Sequence, residues 1–475
     1  MRKAISFRVL AAIAALTSLP GTAMASSLLE IYQQALQSDP LVHEAEARRL
    51  ASLEAAPQAR GVLLPQISAS GDWTSSESSG TSIDADAMGN FGSFSAITDS
   101  ETTRWQFTLR QTLFRWDQIV GLRQADKVVA RAEADREAAQ QDLIVRVTQR
   151  YFDILAAEDR LRAIHANRTA IARQLEQAKQ RFDVGLIAIT AVQESQAAYD
   201  QSVADEIGAK RQLATAREFL REITGDHVTA LSAPTEDLPL RAPDPAVETQ
   251  WIDLAMDQNL ALVAARLDER LARDEISFRR NGHYPTIDLV ATNGEQDVNA
   301  DRSINGLPAL PADSDGSNDS ISIQFNIPLF AGGVTSSRVR EAVYLHRASR
   351  ENLQRVARAT ERQTRDAYLG VISEISRVQA LKQAVQSSQT ALEATQAGFD
   401  VGTRTIVDVL NSQFALYQAI TNYYQSRYDY ILNVMRLKQA AGTLQVQDLE
   451  VLEPYLVNRK TPEQEIAEEA SQPST

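Results

Sequence analysis

The tetrapeptide FDVG occupies residues 182–185 and recurs at residues 399–402, which lie 217 positions later in a chain of 475 residues. Both copies follow long stretches without proline. Glycine is favoured where a helix ends and the chain turns through positive φ. The repeated motif therefore predicts two helical hairpins with similar tips, at residues 183–189 and 400–405.

Other positions follow the same repeat. Gly225 corresponds to Gly442 with the same shift, and Pro65 corresponds to Pro285 with a shift of 220 residues. Each of these prolines follows a stretch with helical periodicity, 28–64 or 247–280. Proline lacks an amide hydrogen and pushes the preceding residue toward extended geometry, so it marks a change from helix to strand. The chain is therefore predicted to be an internal duplication.

The long segments of each half carry a heptad pattern. A helix over residues 118–182 would be roughly 100 Å long at ~1.5 Å per residue, which exceeds a single globular core. Sustained heptads indicate coiled-coil packing, so these helices are expected to pack against neighbours along their length. In the second half the apolar positions recur every seven residues, at Val371, Val378, Val385, Leu392 and Phe399.

After each proline the apolar period changes to two. Ile321, Ile323 and Phe325 alternate with polar residues, which predicts strands with one apolar and one wet face. Strands of ~9 to 11 tilted residues can cross a bilayer. Four strands cannot close a barrel with a usable lumen, so several chains would have to cooperate. The predicted strands cover residues of about 66–75, 103–113, 285–292 and 320–329.

The segments between paired strands decide between two structures. Residues 75–102 and 293–319 are rich in Ser, Gly, Asp and Asn, as are the long external loops of outer-membrane barrels. Trp73, Trp105 and Trp116 lie near the predicted strand ends, where an aromatic girdle would lie. These features favour a transmembrane β-barrel, and a soluble sandwich is the alternative.

The N-terminus and the composition restrict location and chemistry. Residues 1–25 have basic residues, a short apolar run and small residues before Ser26, typical of a secretory signal peptide; a membrane anchor is the alternative. With no cysteine, thiolate sites and disulfides are excluded. The net charge of −14 argues against nucleic-acid binding. Enzymatic activity is not expected, because no catalytic or metal-ligand motif joins the scattered histidines His43, His165, His227, His283 and His346.

The predicted organisation follows the repeat. The two repeats are expected to form one intertwined unit. In chain order the segments are the signal peptide at 1–25, the first repeat at 26–225, a linker at 226–246, the second repeat at 247–442, a C-terminal segment at 443–457 and a disordered acidic tail at 458–475.

Four stretches resemble the TolC-like outer-membrane efflux and secretion channels. They are LLEIYQQAL at 28–36 with Asp39-Pro40, the Leu64-Pro65 switch, and the two tips, of which VGTRTIVDVL at 401–410 is the most specific. The resemblance covers nearly all of residues 26–453. It implies a homotrimer in which each chain gives four strands to a shared outer-membrane β-barrel, continued by a periplasmic tunnel of coiled-coil helices, so the fold class is mixed α and β, mainly α.

The resemblance also implies partners. The barrel contacts outer-membrane lipid, and the tips dock a periplasmic adaptor (membrane fusion) protein and an inner-membrane pump of the RND, ABC or MFS type. The implied function is a passive exit duct for drug efflux, type I secretion or both. A periplasmic coiled-coil protein that is not a channel is the alternative. No cofactor, resident metal or nucleic acid is expected. Exposed small and apolar residues suit adaptor docking, at Val184, Gly185, Leu186, Val401, Gly402 and Thr403.

The resemblance further implies a gate near the second tip. Asp408 would belong to an acidic ring at the constriction, with Arg404 and Phe399 in contacts that hold the closed state. Three carboxylates converging on an axis attract cations and can be bridged by divalent ions, so divalent block at Asp408 is expected. The alternatives are a helix cap for Asp408, a solvated turn residue for Arg404 and plain packing for Phe399.

Two positions depart from the family pattern. Better-known members carry a second acid one turn beyond the position of Asp408, where this chain has Asn411. They also carry an acid in the first tip, where this chain has Ala191. A single acidic ring should bind cations more weakly than two rings. A gate latched less tightly, in which the link between the tips is missing or rebuilt, is therefore predicted.

Overall fold

The computed structural model describes residues 25–85, 91–309 and 311–471. Apart from residue 25, the predicted signal peptide lies outside the described residues. The chain divides into two compact units, which are not the two predicted repeats, because each unit takes residues from both halves. One unit comprises Met1–Glu46, Asp135–Val263 and Val356–Thr475, and the other comprises Ala47–Ala134 and Ala264–Arg355.

The helical stretch predicted at the start of each half is broken into shorter helices. Pro40 has no amide hydrogen to continue a helix, and Asp39 before it has extended backbone geometry. In the second half the break lies at Asn259, whose side-chain oxygen accepts a hydrogen bond from the amide of Leu262. The helices are α1 Leu28–Ser38, α2 Pro40–Leu53 and α3 Ala55–Gly61 in the first half.

Four long helices build the two hairpins. Of the heptad residues, Val371 and Val378 are fully buried within one chain, whereas Val385 and Leu392 stay half-buried. In chain order the helices of this part are α4 Trp116–Asp183, α5 Ile189–Thr224, α6 Glu248–Gln258, α7 Leu260–Arg279, α8 Val334–Asp400 and α9 Ile406–Ala441.

One antiparallel sheet contains strands from both halves. Within the described residues the strand order is β1, β2, β4, β6, with β2 of the first half paired to β4 of the second. A separate two-stranded sheet joins β3 to β7. The strands are β1 Gln66–Ala85, β2 Phe91–Phe114, β3 Ser232–Pro234, β4 Thr286–Ile304, β5 Leu307–Pro308, β6 Ser314–Asn326 and β7 Leu456–Asn458.

The two segments predicted as external loops are largely strand, so that prediction is wrong. β1 pairs with β2 from Gln66 through Ala85, and β4 pairs with β6 from Thr286 through Val298. Short polar side chains stabilise the extensions across the strands: the Ser76 and Ser100 hydroxyls are 2.9 Å apart. Hydrogen bonds between the paired strands satisfy their backbone groups even where the side chains are polar. A polar composition therefore does not exclude strands, although it is also typical of loops.

The longer strands also move the tryptophans. Trp73 and Trp105 lie inside β1 and β2 instead of at strand ends, whereas Trp116 begins α4. The Trp116 indole N–H donates to the Ser277 hydroxyl at 3.0 Å. Strand β6 ends at Asn326, before the end predicted at residue 329, because Pro328 cannot donate to a ladder.

An apolar row crosses the sheet. Ile67 is paired with Leu109, Leu109 with Ala291, and Ala291 with Ile321. Directly paired residues of antiparallel strands point to the same face. Ile67 is 73% exposed and Ile321 is 81% exposed in the single chain. The predicted alternation therefore places an uncovered apolar band on one face of the sheet.

The principal core lies in the unit that contains α1, α5, α9 and the C-terminal segment. The Phe152 and Tyr428 rings stack with their centroids 5.2 Å apart. Tyr151 is fully buried, and its hydroxyl donates to the Ser232 carbonyl at 2.6 Å. Burial of such aromatic side chains is the largest single contribution to a core of this kind.

The tail predicted as disordered is ordered through residue 471, so that prediction is wrong. The tail begins at the last residue of strand β7 and contains helix α11 Pro462–Ser471, whereas α10 Gln447–Glu450 lies in the C-terminal segment before it. Thr461 caps α11: its hydroxyl accepts from the Gln464 amide at 3.4 Å, and the Gln464 side chain accepts from the Thr461 amide at 3.1 Å. The acidic side chains of the tail pair with basic residues of α4 and α5. These pairs reduce the repulsion within the acidic segment on which the prediction of disorder was based.

Candidate functional site at the hairpin tips

The first tip turns through a glycine-dependent helix end. Helix α4 ends at Asp183, and Gly185 follows with φ of +75°. The Gly185 amide donates to the Phe182 carbonyl at 2.8 Å, and the Leu186 amide donates to the Arg181 carbonyl at 2.8 Å. This pair of bonds is a Schellman motif, and it requires a left-handed residue that glycine adopts without strain.

The second tip repeats this geometry. Helix α8 ends at Asp400, and Gly402 has φ of +81°. The Gly402 amide donates to the Phe399 carbonyl at 3.0 Å, and the Thr403 amide donates to the Gly398 carbonyl at 2.8 Å. Each bond joins positions that correspond to those of the first tip. The duplicated FDVG sequence therefore specifies the same turn twice.

Apolar side chains project from both turns. Val184 is 70% exposed, Leu186 is 73% exposed and Val401 is 76% exposed. Thr403 is exposed as well, and its hydroxyl donates to the Gly398 carbonyl at 3.0 Å. The predicted docking residues thus form two small uncovered patches, one on each tip.

The returning helices begin differently. Helix α9 has Thr405 as its N-cap, and Thr405 and Asp408 form a reciprocal capping box. Helix α5 begins at Ile189 after Ala188, which makes no side-chain cap. Thr190 and Gln193 have the residue types and spacing of a capping box, but Thr190 lies inside α5 and is not its N-cap.

Asp408 is held by its cap. Its Oδ2 accepts a hydrogen bond from the Thr405 amide and another from the Thr405 hydroxyl, both at 2.9 Å. These bonds, with a smaller contribution from the charge of Arg404, hold the pKa of Asp408 below its ordinary value of 3.8. Hydrogen bonds to the ionised form always act in this direction. The carboxylate is therefore charged at neutral pH.

Of the remaining predicted gate residues, Arg404 acts on this carboxylate through its charge. Arg404 is exposed, and its aliphatic part lies over Gly398, where an added Cβ would be 2.8 Å from the Arg404 Cγ. Asn411 is exposed one turn along α9. Phe399 is half-buried at the end of α8. Arg404 and Asp408 are thus brought together, whereas Phe399 faces a different cation.

That cation is Arg181, which the sequence did not single out. Its guanidinium lies 4.8 Å from the centre of the Phe399 ring, and its Nη2 lies 2.9 Å from the Asp400 Oδ1. Arg181 belongs to α4 and Asp400 to α8, so this ion pair joins the two tips. Both residues lie within or next to the repeated FDVG motif, which is the only signal that the sequence offers for them. Their pairing across the two hairpins becomes visible only in the fold.

Amide side chains join the same helices above the tips. Gln174 donates to the Gln396 side chain at 3.4 Å, and the buried Gln413 donates to the Asn167 carbonyl at 3.4 Å.

None of the helices in the described part of the chain combines the length and apolar character that a bilayer crossing requires.

Comparison with known proteins supplies a family. Residues 31–226 and 251–443 match the family described as outer membrane efflux proteins. The chain is 37% identical to outer membrane protein TolC of Vibrio cholerae over 438 residues, covering 92% of this chain and 95% of the relative. It is 29% identical to alkaline protease secretion protein AprF of Pseudomonas aeruginosa, covering 93% of this chain and 89% of the relative.

A solved structure gives the same fold. The outer membrane protein VceC of Vibrio cholerae superposes with a TM-score of 0.68 at 19% identity, covering 87% of this chain and 96% of that chain. At this identity the likeness concerns the fold alone. It confirms the predicted mainly helical α and β class, that of outer-membrane efflux channels.

Proposed function

The chain belongs to the outer membrane efflux protein family, and on this premise we propose that it is one subunit of a homotrimeric duct gated at Asp408. It is an outer-membrane protein that spans into the periplasm, an exit duct for efflux and secretion, and not an enzyme. The proposal concerns how the strands, the tips and the charged residues divide this work.

The sheet is proposed to be one chain's share of a barrel. In its apolar row, Ile67 and Ile321 are exposed in the single chain, and Leu109 and Ala291 between them are half-buried. Lipid-facing strands alternate apolar and polar residues in this way. The four strands are too few to enclose a lumen, so trimerisation would close the barrel and place the apolar row against outer-membrane lipid.

The tips are proposed to dock a periplasmic adaptor protein, which connects the duct to an inner-membrane pump. Val184, Leu186 and Val401 expose most of their surface, and exposed apolar groups on a rigid turn suit packing against a partner. Gly185 and Gly402 allow that turn. Cargo selection would belong to the pump, because the polar side chains of the lumen do not discriminate among solutes.

The gate is proposed to lie at Asp408, where three copies would converge in the trimer. The Thr405 cap keeps the carboxylate charged and fixes its direction. Three such charges attract cations and favour divalent ions that bridge them. Asn411 supplies no second charge, so the block should be weaker than in relatives with two acidic rings.

The tips are proposed to be tied by Arg181. Ala191 cannot accept a hydrogen bond through its side chain, whereas Arg181 contacts both Asp400 and Phe399 across the hairpins. The link between the tips would thus be rebuilt from the last turn of α4 instead of from the first turn of α5. Since the ion pair is partly exposed, it contributes little energy, which suits a gate that opens readily.

The capped carboxylate of Asp408 is the observation that carries the gating proposal, and planar-bilayer conductance tests it. We expect the detergent-purified trimer to show a small, cation-preferring conductance that divalent ions block. Asp408→Ala should enlarge the conductance and abolish the block. A large conductance that the substitution leaves unchanged would remove Asp408 from the gate.

A second outcome would overturn the duct itself. Protein that partitions into the soluble fraction without detergent and never conducts would support the periplasmic coiled-coil alternative.

Site-directed photocrosslinking at Leu186 in cells tests docking separately, with exposed Gln193 on α5 as the matched control position. Capture of a periplasmic protein from Leu186 alone is expected, and equal capture from both positions would contradict docking at the tip.

A further inference from the structure

The C-terminal helix α11 is fastened to the first hairpin by ion pairs on two different helices. Arg162 of α4 donates to Glu465 at 2.8 Å, and Arg217 of α5 donates to Glu463 at 2.7 Å. His165 of α4 also lies 3.2 Å from Glu469. Because its partners belong to both helices, α11 bridges α4 and α5.

A buried carboxyl lies behind these pairs and shares their cations. Glu158 is 3% exposed, and it contacts Arg217 at 3.4 Å and Arg162 at 3.8 Å. The same two guanidinium groups therefore serve Glu158 and the acids of α11. Ionised Glu158 competes for them and repels the negative charge of Glu463.

We propose that α11 is a detachable clasp on α4 and α5, which binds more tightly when Glu158 is protonated and more loosely when it is ionised. A protonated Glu158 leaves both guanidinium groups to the acids of α11 and removes a negative charge from the interface. The clasp would consequently respond to pH in the mildly acidic to neutral range.

The titration of Glu158 falls in that range. Burial raises its pKa to about 7, against the attraction of Arg162 and Arg217, and the charge of Glu463 adds to the increase. A carboxyl whose folded-state pKa exceeds the ordinary 4.5 stabilises the folded form while protonated, and this stabilisation is lost as pH rises through about 4.5 to 7. Docking is thus expected to weaken from pH 6 to pH 8.

The other charged groups at this interface set the lowest pH at which α11 stays docked. Desolvation raises the pKa of Glu463, but the hydrogen bonds from Arg217, from its own backbone amide and from Thr461, together with the charge of Arg217, outweigh it and hold the pKa below its ordinary value. Glu463 therefore stays charged while Glu158 gains its proton, and the clasp should release only in stronger acid. The charged or titratable groups that face Glu158 and α11 include Tyr151, Asp159, Arg162 and His165 on α4, Glu206 and Arg217 on α5, and Arg459, Lys460, Glu463, Glu465, Glu468 and Glu469 on the tail.

A spin label on α11 measures the clasp in the intact protein. The chain has no cysteine, so Ala467→Cys, at an exposed position of α11, provides a single labelling site in the detergent-solubilised full chain. We expect the mobile fraction in the electron paramagnetic resonance spectrum to rise roughly two- to fivefold from pH 6 to pH 8, the effect of one partly buried charge pair.

Three substitutions in the labelled protein assign that effect. Glu158→Gln imitates the protonated form, so the label should stay immobile at both pH values. Arg217→Gln removes a shared cation and should give a mobile label at both. Glu468→Gln removes an exposed acid that pairs with Lys460 within the tail, so the pH effect should remain.

Two results would overturn the proposal. One is equal mobility of the label at pH 6 and pH 8 in the otherwise unchanged chain. The other is a full pH effect that persists in Glu158→Gln protein whose oligomeric state and circular dichroism match the parent. If Glu158→Gln fails to fold, Arg217→Gln still decides, because a label that it leaves immobile at pH 6, as in the parent, would show that the ion pair does not hold α11.

Discussion

The two hairpin tips share a backbone and differ in their polar side chains. Gly185 and Gly402 close the same Schellman turn, yet only the second tip is followed by a capping threonine and an acid. Ala188 begins α5 without a side-chain cap, whereas Thr405 and Asp408 cap α9 reciprocally. The two tips thus share the turn, whereas the capping box and its acid occur at the second tip only.

The difference separates two tasks. The exposed apolar residues occur on both tips, which suits a partner that must contact both. The capped acid proposed to act on ions, Asp408, occurs on the second tip alone, because the corresponding residue of the first tip is Ala191. Substitutions that move charge or caps from one tip to the other therefore test whether this division is functional.

A second acid beside Asp408 should give the largest effect. Asn411 is exposed, so Asn411→Asp adds a carboxylate without burying it. In a trimer it would add a ring of three charges, and we expect the divalent concentration for half-block to fall roughly tenfold or more, which corresponds to ~1.4 kcal/mol of added attraction. Bilayer conductance with a divalent titration measures it.

The matched control is uncharged. Asn411→Ser changes the same position without adding charge and should leave the block unchanged. Ala191→Asp places an acid on the first tip, and we expect a smaller effect from it. If Ala191→Asp strengthened the divalent block as much as Asn411→Asp, the second tip would not be the main site of ion binding.

Breaking the tie between tips should give a moderate effect. Arg181→Gln removes the ion pair with Asp400 and the contact with Phe399. A partly exposed pair contributes ~0.2 to 1 kcal/mol, so we expect the open probability of the channel to rise roughly two- to fivefold. Single-channel recording provides the measurement.

A double-mutant cycle identifies the pair. Asp400→Asn should raise the open probability in the same direction, and adding it to Arg181→Gln should give little further change because both remove one interaction. Fully additive effects would show that Arg181 and Asp400 act independently, and the tips would then not be tied through this pair.

Exchange of the helix caps should give a smaller, local effect. Thr405→Ala removes the cap of α9 and should cost ~1 kcal/mol of local stability, whereas Ala188→Ser offers α5 a cap and should add ~0.5 to 1 kcal/mol. Hydrogen exchange of the first turn of each helix measures both changes. Thr190→Ala is the control, because Thr190 makes no cap in the structure; fraying of α5 in that variant would contradict it.

The caps also show how far local sequence determines this fold. The FDVG turns and the cap at Thr405 depend on neighbouring residues alone, so the sequence was sufficient to predict them. At the first tip the same local pattern begins at Thr190, two residues after the N-cap position Ala188, so it forms no cap. Propensity describes which residues can cap a helix, whereas packing along α4 and α5 decides where the helix begins.

Features that depend on distant partners were missed. The polar halves of β1 and β2 form strands because their backbones pair, a condition that composition cannot reveal. Helix α11 is ordered because Arg162 and Arg217, over 240 residues earlier, face its acids. The pairing of Arg181 with Asp400 spans 219 residues. Within the candidate site, sequence indicated which residues matter at the second tip but not what joins it to the first.

The pH response of the gate should be the smallest effect and the most informative about geometry. In the chain, hydrogen bonds from Thr405 hold the pKa of Asp408 below 3.8. A group with a lowered pKa keeps its charge until the pH falls through that value, so cation selectivity should stay constant from pH 7 to about pH 4 and then decline. Reversal potentials in a salt gradient follow it.

Two opposing interactions determine the pH at which half of the cation selectivity is lost. The Thr405 cap lowers the pKa of Asp408, whereas convergence of three carboxylates would raise it, because each charge disfavours its neighbours. We expect the cap to dominate and the midpoint to lie below 3.8, with Thr405→Ala moving it upward. A midpoint above 3.8 that Thr405→Ala leaves in place would mean that ring repulsion governs the gate, and the cap would then distinguish the two tips in stability but not in conduction.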